Sequence, residues 1–307
     1  MNLSVQLAPR NKRGLLLANP VMTASGTCGY GTDENYPFEI QRLGAFVCKG
    51  TTLEARGGNA QPRIIETAAG MLNSIGLQNI GIDSLIKDKA PIWKKWHIPV
   101  IVNIAGETIE DYARISTALD GITGVSAIEV NISCPNVKAG GVEFGIRAES
   151  AADVTAAVRK ATSLPLIVKL TPNTGDIVEV ALAVTTAGAD SISLINTLKG
   201  MAIDIYRHQP LLGSVTGGLS GPAIKPVALA MVYELAAAID LPIIGCGGIV
   251  NAADAIEFLM AGASAVQIGT INLVNPGNLL EILEGIESFM SERGIEDVKE
   301  LIGIAQR

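Results

Sequence analysis

Eight short apolar runs, each closed by Gly, Pro, Asn, Ser or Thr, recur along this chain and limit its architecture more than any other feature. They are VMTAS from Val21, AFVCK from Ala45, VIVNI from Val100, AIEVNIS from Ala127, LIVKLT from Leu166, SISLINT from Ser191, PIIGCGG from Pro242 and AVQIGT from Ala265. They are continuous rather than alternating, the pattern of strands covered on both faces. Helical patterns lie between most of them. One runs from Ala151 to Ser163, and another from Asn251 to Gly262, with Asn251 placed as N-cap and Gly262 as the stop. Eight strand–helix alternations imply parallel strands with crossover helices. The prediction is an α/β fold, a (β/α)8 TIM barrel formed as a single unit over residues 1–307, with an open doubly wound sheet as the other arrangement.

The strand spacing is uneven. The intervals 45 to 100, 127 to 166 and 191 to 242 are longer than a minimal unit requires. The surplus is assigned to insertions in the loops at the C-terminal face, where barrels keep their active sites. The opening SVQLAPRNKRGLLLANP reads as a small N-terminal hairpin closing the barrel bottom.

With 48% hydrophobic and 17% charged residues, the chain has the material for a large core and is not disordered. A net charge of −7 argues against nucleic acid or an anionic membrane as partner. MNLSVQLAPRNKRG has no signal-peptide order, and the longest uncharged run, Phe258 to Leu280, is broken by Pro276 and several glycines. A cytoplasmic location is expected. Cys28, Cys48, Cys134 and Cys246 form no C-x-x-C pair, so no metal or cluster site is expected on this chain. Histidine chemistry has few candidates. His97 precedes the third strand and reads as structural, and His208 follows the sixth strand, structural or touching a ligand.

The carboxyl ends of the strands carry Ser25, Lys49, Gly50, Asn103, Asn131, Lys169, Asn196 and Thr197, followed by Gly247, Gly248, Gly269 and Thr270. Lys49 and Lys169 end apolar strands, where an ammonium needs a partner. Three readings stand: an ion pair such as Lys169 with Glu129, a cation facing a flavin or anionic substrate, or a Schiff-base lysine. GCGGI from Gly245 and QIGT from Gln267 follow strands seven and eight, the loops that often cradle a phosphate in barrels. In NISCPNV, Cys134 just past a strand reads as a thiolate base or nucleophile, against a buried packing role. The remaining cysteines read as structural. NSIGLQN from Asn73 brings amides that suit a planar ring with alternating C=O and N–H groups, or else stabilise turns. VKAGGVEFG, residues 137–145, is Gly-rich and is expected to be a mobile lid.

These motifs, together with ASG at Ala24, CKGTT at Cys48, INT at Ile195 and GGLSGPAIKP at Gly217, resemble those of the dihydroorotate dehydrogenases, specifically the class 1 type B catalytic chains, over essentially the whole sequence. The resemblance implies one FMN across the top of the barrel. Its phosphate would lie at Gly247, Gly248, Gly269 and Thr270 with Gly221 close by. Ser25, Lys49, Gly50, Asn103, Asn131, Lys169 and Ile195 would line the rest, Lys169 facing the electron-rich edge of the ring. Substrate would be held by Lys49, Asn73, Ser74, Ile75, Gly76, Leu77, Asn131, Asn136, Asn196 and Thr197. Cys134 would be the catalytic base, removing the C5 proton of dihydroorotate while hydride passes from C6 to the flavin, giving orotate for pyrimidine biosynthesis. The same resemblance implies a partner subunit carrying FAD and a 2Fe–2S cluster that passes electrons to NAD, in a heterotetramer of two subunits of each kind. The chain itself has neither a cluster motif nor a G-x-G-x-x-G fingerprint. Four other readings compete: a fumarate-linked type A enzyme, an FMN-dependent dihydropyrimidine dehydrogenase module, a Schiff-base aldolase using Lys49 or Lys169, and a non-catalytic binding subunit.

Overall fold

A computed structural model describes residues 1–32, 39–133 and 144–306. The eight predicted runs form eight parallel strands: β1 Val21–Thr23, β2 Phe46–Val47, β3 Val100–Ile104, β4 Ala127–Asn131, β5 Leu166–Lys169, β6 Ser191–Leu194, β7 Ile243–Cys246 and β8 Ala265–Ile268. Each neighbours the next in sequence, β8 pairs with β1, and a bridge between Met22 and Ala45 joins β1 to β2. The sheet therefore closes on itself as the predicted (β/α)8 barrel. Closure removes both sheet edges, and the near-continuous burial of the strands follows from helices outside and side chains inside.

Six helices follow the later strands: α1 Ile109–Leu119, α2 Ala148–Ala161, α3 Ile177–Thr186, α4 Lys225–Ala238, α5 Ala252–Ala261 and α6 Asn278–Arg293. A composite helical segment, 82–93, precedes β3, with a π turn at Leu85–Lys89. Thr108 and Asp111 form a reciprocal capping box on α1. On α5, Asn251 accepts from the Asp254 backbone N–H at 2.9 Å, the expected cap, and Gly262 ends the helix. α2 starts at Ala148 rather than Ala151, because Ala148, Glu149 and Ser150 are compatible with a first turn. It stops at Ala161, where Thr162 turns extended and its hydroxyl donates to Asp120 at 2.8 Å.

The N-terminal hairpin pairs Val5–Gln6 with Leu16–Leu17 and buries Leu7, Leu15 and Leu17. Asn11 reaches Asp190 at 3.0 Å and Arg13 reaches Ser163 at 2.6 Å. Both targets lie just before β6 and β5, so the hairpin covers the N-terminal end of the barrel.

At the other end, the surplus of the 45–100 and 191–242 intervals is not plain loop. Ile64–Thr67 and Gly70–Asn73 from the first insertion join Gly217–Ser220 and Leu198–Gly200 from the second in one four-stranded antiparallel sheet. Two insertions far apart in sequence thus build a single roof over the strand ends. Among the described residues, no helix is long and apolar enough to cross a membrane.

Candidate active site

The strand ends and the roof enclose two adjoining cavities of about 430 and 340 Å³. Ser25, Lys49, Asn73, Lys169, Asn196 and Thr197 belong to the walls of both. Their combined size suits a cofactor and a small substrate side by side. The first cavity brings in Gly50, Asn103, Asn131 and the run from Ser74 through Ile75 and Gly76 to Leu77. The second brings in Ile195, Gly221, Gly247, Gly248, Gly269 and Thr270. The predicted site residues thus converge from all eight strand ends. Cys134 and Asn136 lie outside the described residues, as does most of the 137–145 segment.

The first cavity also has walls that sequence reasoning missed: Asn59, Ser133, Asn173, Lys199 and the Gly217–Gly218 pair. Asn173 sits four residues beyond Lys169, in a carboxyl-end loop, a position that could have flagged it. Its side chain braces the roof, donating to the Thr197 carbonyl at 3.1 Å and accepting from the Lys199 backbone at 3.0 Å. Asn59 and the glycine pair had no such signal, since only the roof sheet carries them to the site. Among the described lining residues there are three lysines, six asparagines and no carboxylate.

The cavity floor is built on Glu129, a fully buried β4 side chain. Its carboxylate accepts from the Asn103 amide at 2.7 Å, the Ser193 hydroxyl at 2.9 Å and the Gln267 amide. Lys169 lies 3.9 Å from the same carboxylate and donates to the Gln267 oxygen at 2.9 Å. Lys169 is therefore both an ion-pair partner, as one reading expected, and a wall of both cavities. Burial opposes its charge most strongly, but Glu129 and the Cys246 side chain together outweigh it and hold it above the ordinary lysine value. Lys49 differs. It is half-buried, no ion-pair partner is found for it among the described residues, and burial followed by nearby Arg63 lowers it below the ordinary value. A substrate anion would relieve both effects.

The second cavity ends in bare backbone. Gly248 has φ +73°, and a Cβ there would come within 2.7 Å of the Lys225 backbone. At Gly221, φ +94°, a Cβ would meet Gly70 Cα at 2.7 Å. Among the described residues, none accepts from the backbone N–H groups of Gly247, Gly248 or Gly269. Lys225 pins these turns, binding Asp254 at 2.6 Å and Glu257 at 2.8 Å, while Asp254 also accepts from the Val250 N–H at 2.9 Å. Free N–H groups without side chains form a cradle for a phosphate.

Asn196 and Asn73, in the shared wall, and Asn131, in the first cavity, supply neutral donors and acceptors. Asn131 accepts from Asn196 at 3.3 Å and from the Ser133 backbone at 3.1 Å. Asn73 donates to the Gly218 carbonyl at 3.3 Å, so the roof fixes its amide. Cys28 and Cys48 are buried away from both cavities, and burial pushes the Cys48 thiol up to about 12. Cys246 is buried too but reaches the second cavity. His97 is hydrogen-bonded to the Gln41 carbonyl at 3.1 Å, and His208 is exposed on the hairpin Ile203–Asp204 and Gln209–Pro210.

A family model described as dihydroorotate dehydrogenase matches residues 9–290. The catalytic subunit of dihydroorotate dehydrogenase B (NAD(+)) from Trichlorobacter lovleyi is 56% identical over 289 residues, covering 94% of this chain and 95% of that protein. The subunit of the same name from Desulforamulus reducens is 53% identical and covers 99% of each. That from Porphyromonas gingivalis is 54% identical, over 95% of each.

Proposed function

The chain belongs to the dihydroorotate dehydrogenase family, and within it we propose that it is an NAD-linked, type B catalytic subunit oxidising dihydroorotate to orotate in pyrimidine biosynthesis. The observation that carries this reading is the first cavity, whose described walls hold lysines and asparagines and no carboxylate. A ring bearing alternating C=O and N–H groups and one carboxylate is complementary to such walls.

FMN fits the second cavity, with its ring reaching past the shared wall to the floor of the first. The bare glycine turns offer backbone donors to its phosphate, and the buried Asn103 Oδ1, which has no hydrogen-bond partner, offers an acceptor to its ring. When bound, it would supply the acceptor for the hydride leaving C6 of the substrate. The chain's own residues do the rest. Lys49 holds the substrate carboxylate. Asn73, Asn131 and Asn196 orient the ring, with Asn136 as a fourth amide. Cys134 takes the C5 proton as thiolate. Lys169 places a cation where reduction of the flavin accumulates negative charge. Electrons would then leave through a separate subunit with FAD and a 2Fe–2S cluster, as the catalytic-subunit name of the relatives suggests.

The substrate class is tested by competition. Orotate should bind the FMN-loaded protein and perturb its visible spectrum, and uracil, lacking the carboxylate, should bind at least tenfold more weakly. Equal binding of the two would move the assignment to a dihydropyrimidine dehydrogenase.

A further inference from the structure

Glu129 does more than neutralise a lysine. A carboxylate only accepts hydrogen bonds, and this one is surrounded by inward-facing side chains from four other strands: Asn103 on β3, Lys169 on β5, Ser193 on β6 and Gln267 on β8. Because Asn103 must turn its amide nitrogen to Glu129, its Oδ1 is left on the other side, fully buried and unpartnered at the cavity wall. Because Gln267 does the same, its oxygen is left to hold Lys169. One buried charge therefore decides which atoms the floor offers.

We propose that Glu129 is a positioning residue for the redox cofactor: it orients Asn103 as an acceptor toward the cavity and supplies the counter-charge that keeps Lys169 an ammonium beside it. That pairing matches the pyrimidine edge of an isoalloxazine, which has an N–H donor next to the carbonyl where negative charge gathers on reduction. The inference rests on the reading that FMN occupies the second cavity and that its ring reaches Asn103 at the floor of the first.

Glu129→Gln, nearly isosteric, removes the charge and cannot accept from every neighbour at once. The groups facing Lys169 are Glu129, the Cys246 thiol, which burial pushes above its ordinary value, and Lys49 across the shared wall. The readout is the ratio of affinities for reduced and oxidised FMN between pH 7 and 9.5, measured in the purified holoprotein, with the fold checked by circular dichroism. In Glu129→Gln the ratio should fall about tenfold or more as pH rises, because Lys169 without its counter-charge loses its proton in that window. Wild type and Glu129→Asp should lack this ionisation, and adding Lys169→Met to Glu129→Gln should abolish it. Any inflection also present in wild type and in the double variant belongs to Lys49. If Glu129→Gln does not fold, Asn103→Ala is the second test, and it should weaken FMN binding about tenfold in both oxidation states. A Glu129→Gln protein that folds and shows the wild-type profile overturns the proposal, as does an Asn103→Ala protein with unchanged FMN affinity. A wild-type protein that binds no FMN overturns the cofactor reading beneath it.

Discussion

Lys49 and Lys169 carry the same charge at the ends of neighbouring kinds of strand, and their surroundings give them different work. Lys169 has Glu129 at 3.9 Å and is held charged, whereas Lys49 is lowered by burial and Arg63 and has no ion-pair partner among the described residues. Lys49→Met should therefore raise KM for dihydroorotate about tenfold or more while FMN stays bound, and a KM unchanged in steady-state assays would remove Lys49 from the substrate site. The pH sign follows from the direction of its shift. Substrate affinity is present while Lys49 is protonated and declines as pH rises through its lowered value, earlier than an ordinary lysine near roughly 10.4 would allow. Among the cysteines, Cys48 at about 12 should resist iodoacetamide at pH 8 in the native protein. Cys134 should be alkylated with loss of activity, and orotate should protect it. Peptide mass spectrometry reads this directly, and alkylation of Cys48 ahead of Cys134 would contradict the assignment. Individual side chains at strand ends were legible in the sequence because strand ends are where barrel chemistry collects. The Glu129 network was legible only as a possible Lys169 partner, since its other members come from strands whose inward register the sequence does not state.

The roof sheet is the element that turns a barrel into an enclosed site, and glycine makes it possible. A Cβ at Gly218 would lie 2.0 Å from Thr197 Oγ1, and one at Gly217 would lie 2.5 Å from the Asn73 carbonyl. Gly218→Val should push the strand off Thr197 and raise KM about tenfold, with the circular dichroism of the barrel unchanged. A normal KM in that variant would show that the roof tolerates displacement. The eight barrel strands were readable because each is a continuous apolar run, covered on both faces. The roof strands were not. Ile64–Thr67 and Gly70–Asn73 are short and only partly buried, and Gly217–Ser220 is a segment of poor strand formers. Their pairing also joins segments from two insertions, which no local pattern encodes.

At the scale of the whole molecule, the division of labour is spatial. The N-terminal hairpin and the helices stabilise one end and the outside of the barrel, and the two cavities at the other end are left to glycine turns, amides and two strand-end lysines. The second cavity would take FMN and the first an anionic ring, and the two ligands would meet at the wall both cavities share, where Lys49, Lys169 and Asn196 lie. A reducible flavin and dihydroorotate would occupy these adjoining spaces together. The measurement that tests this joint occupancy most directly is the anaerobic visible spectrum of the purified protein before and after adding dihydroorotate. The flavin spectrum should bleach on adding dihydroorotate and stay oxidised with dihydrouracil. A bound flavin that dihydroorotate leaves oxidised, or a protein that takes up no added FMN, would contradict joint occupancy.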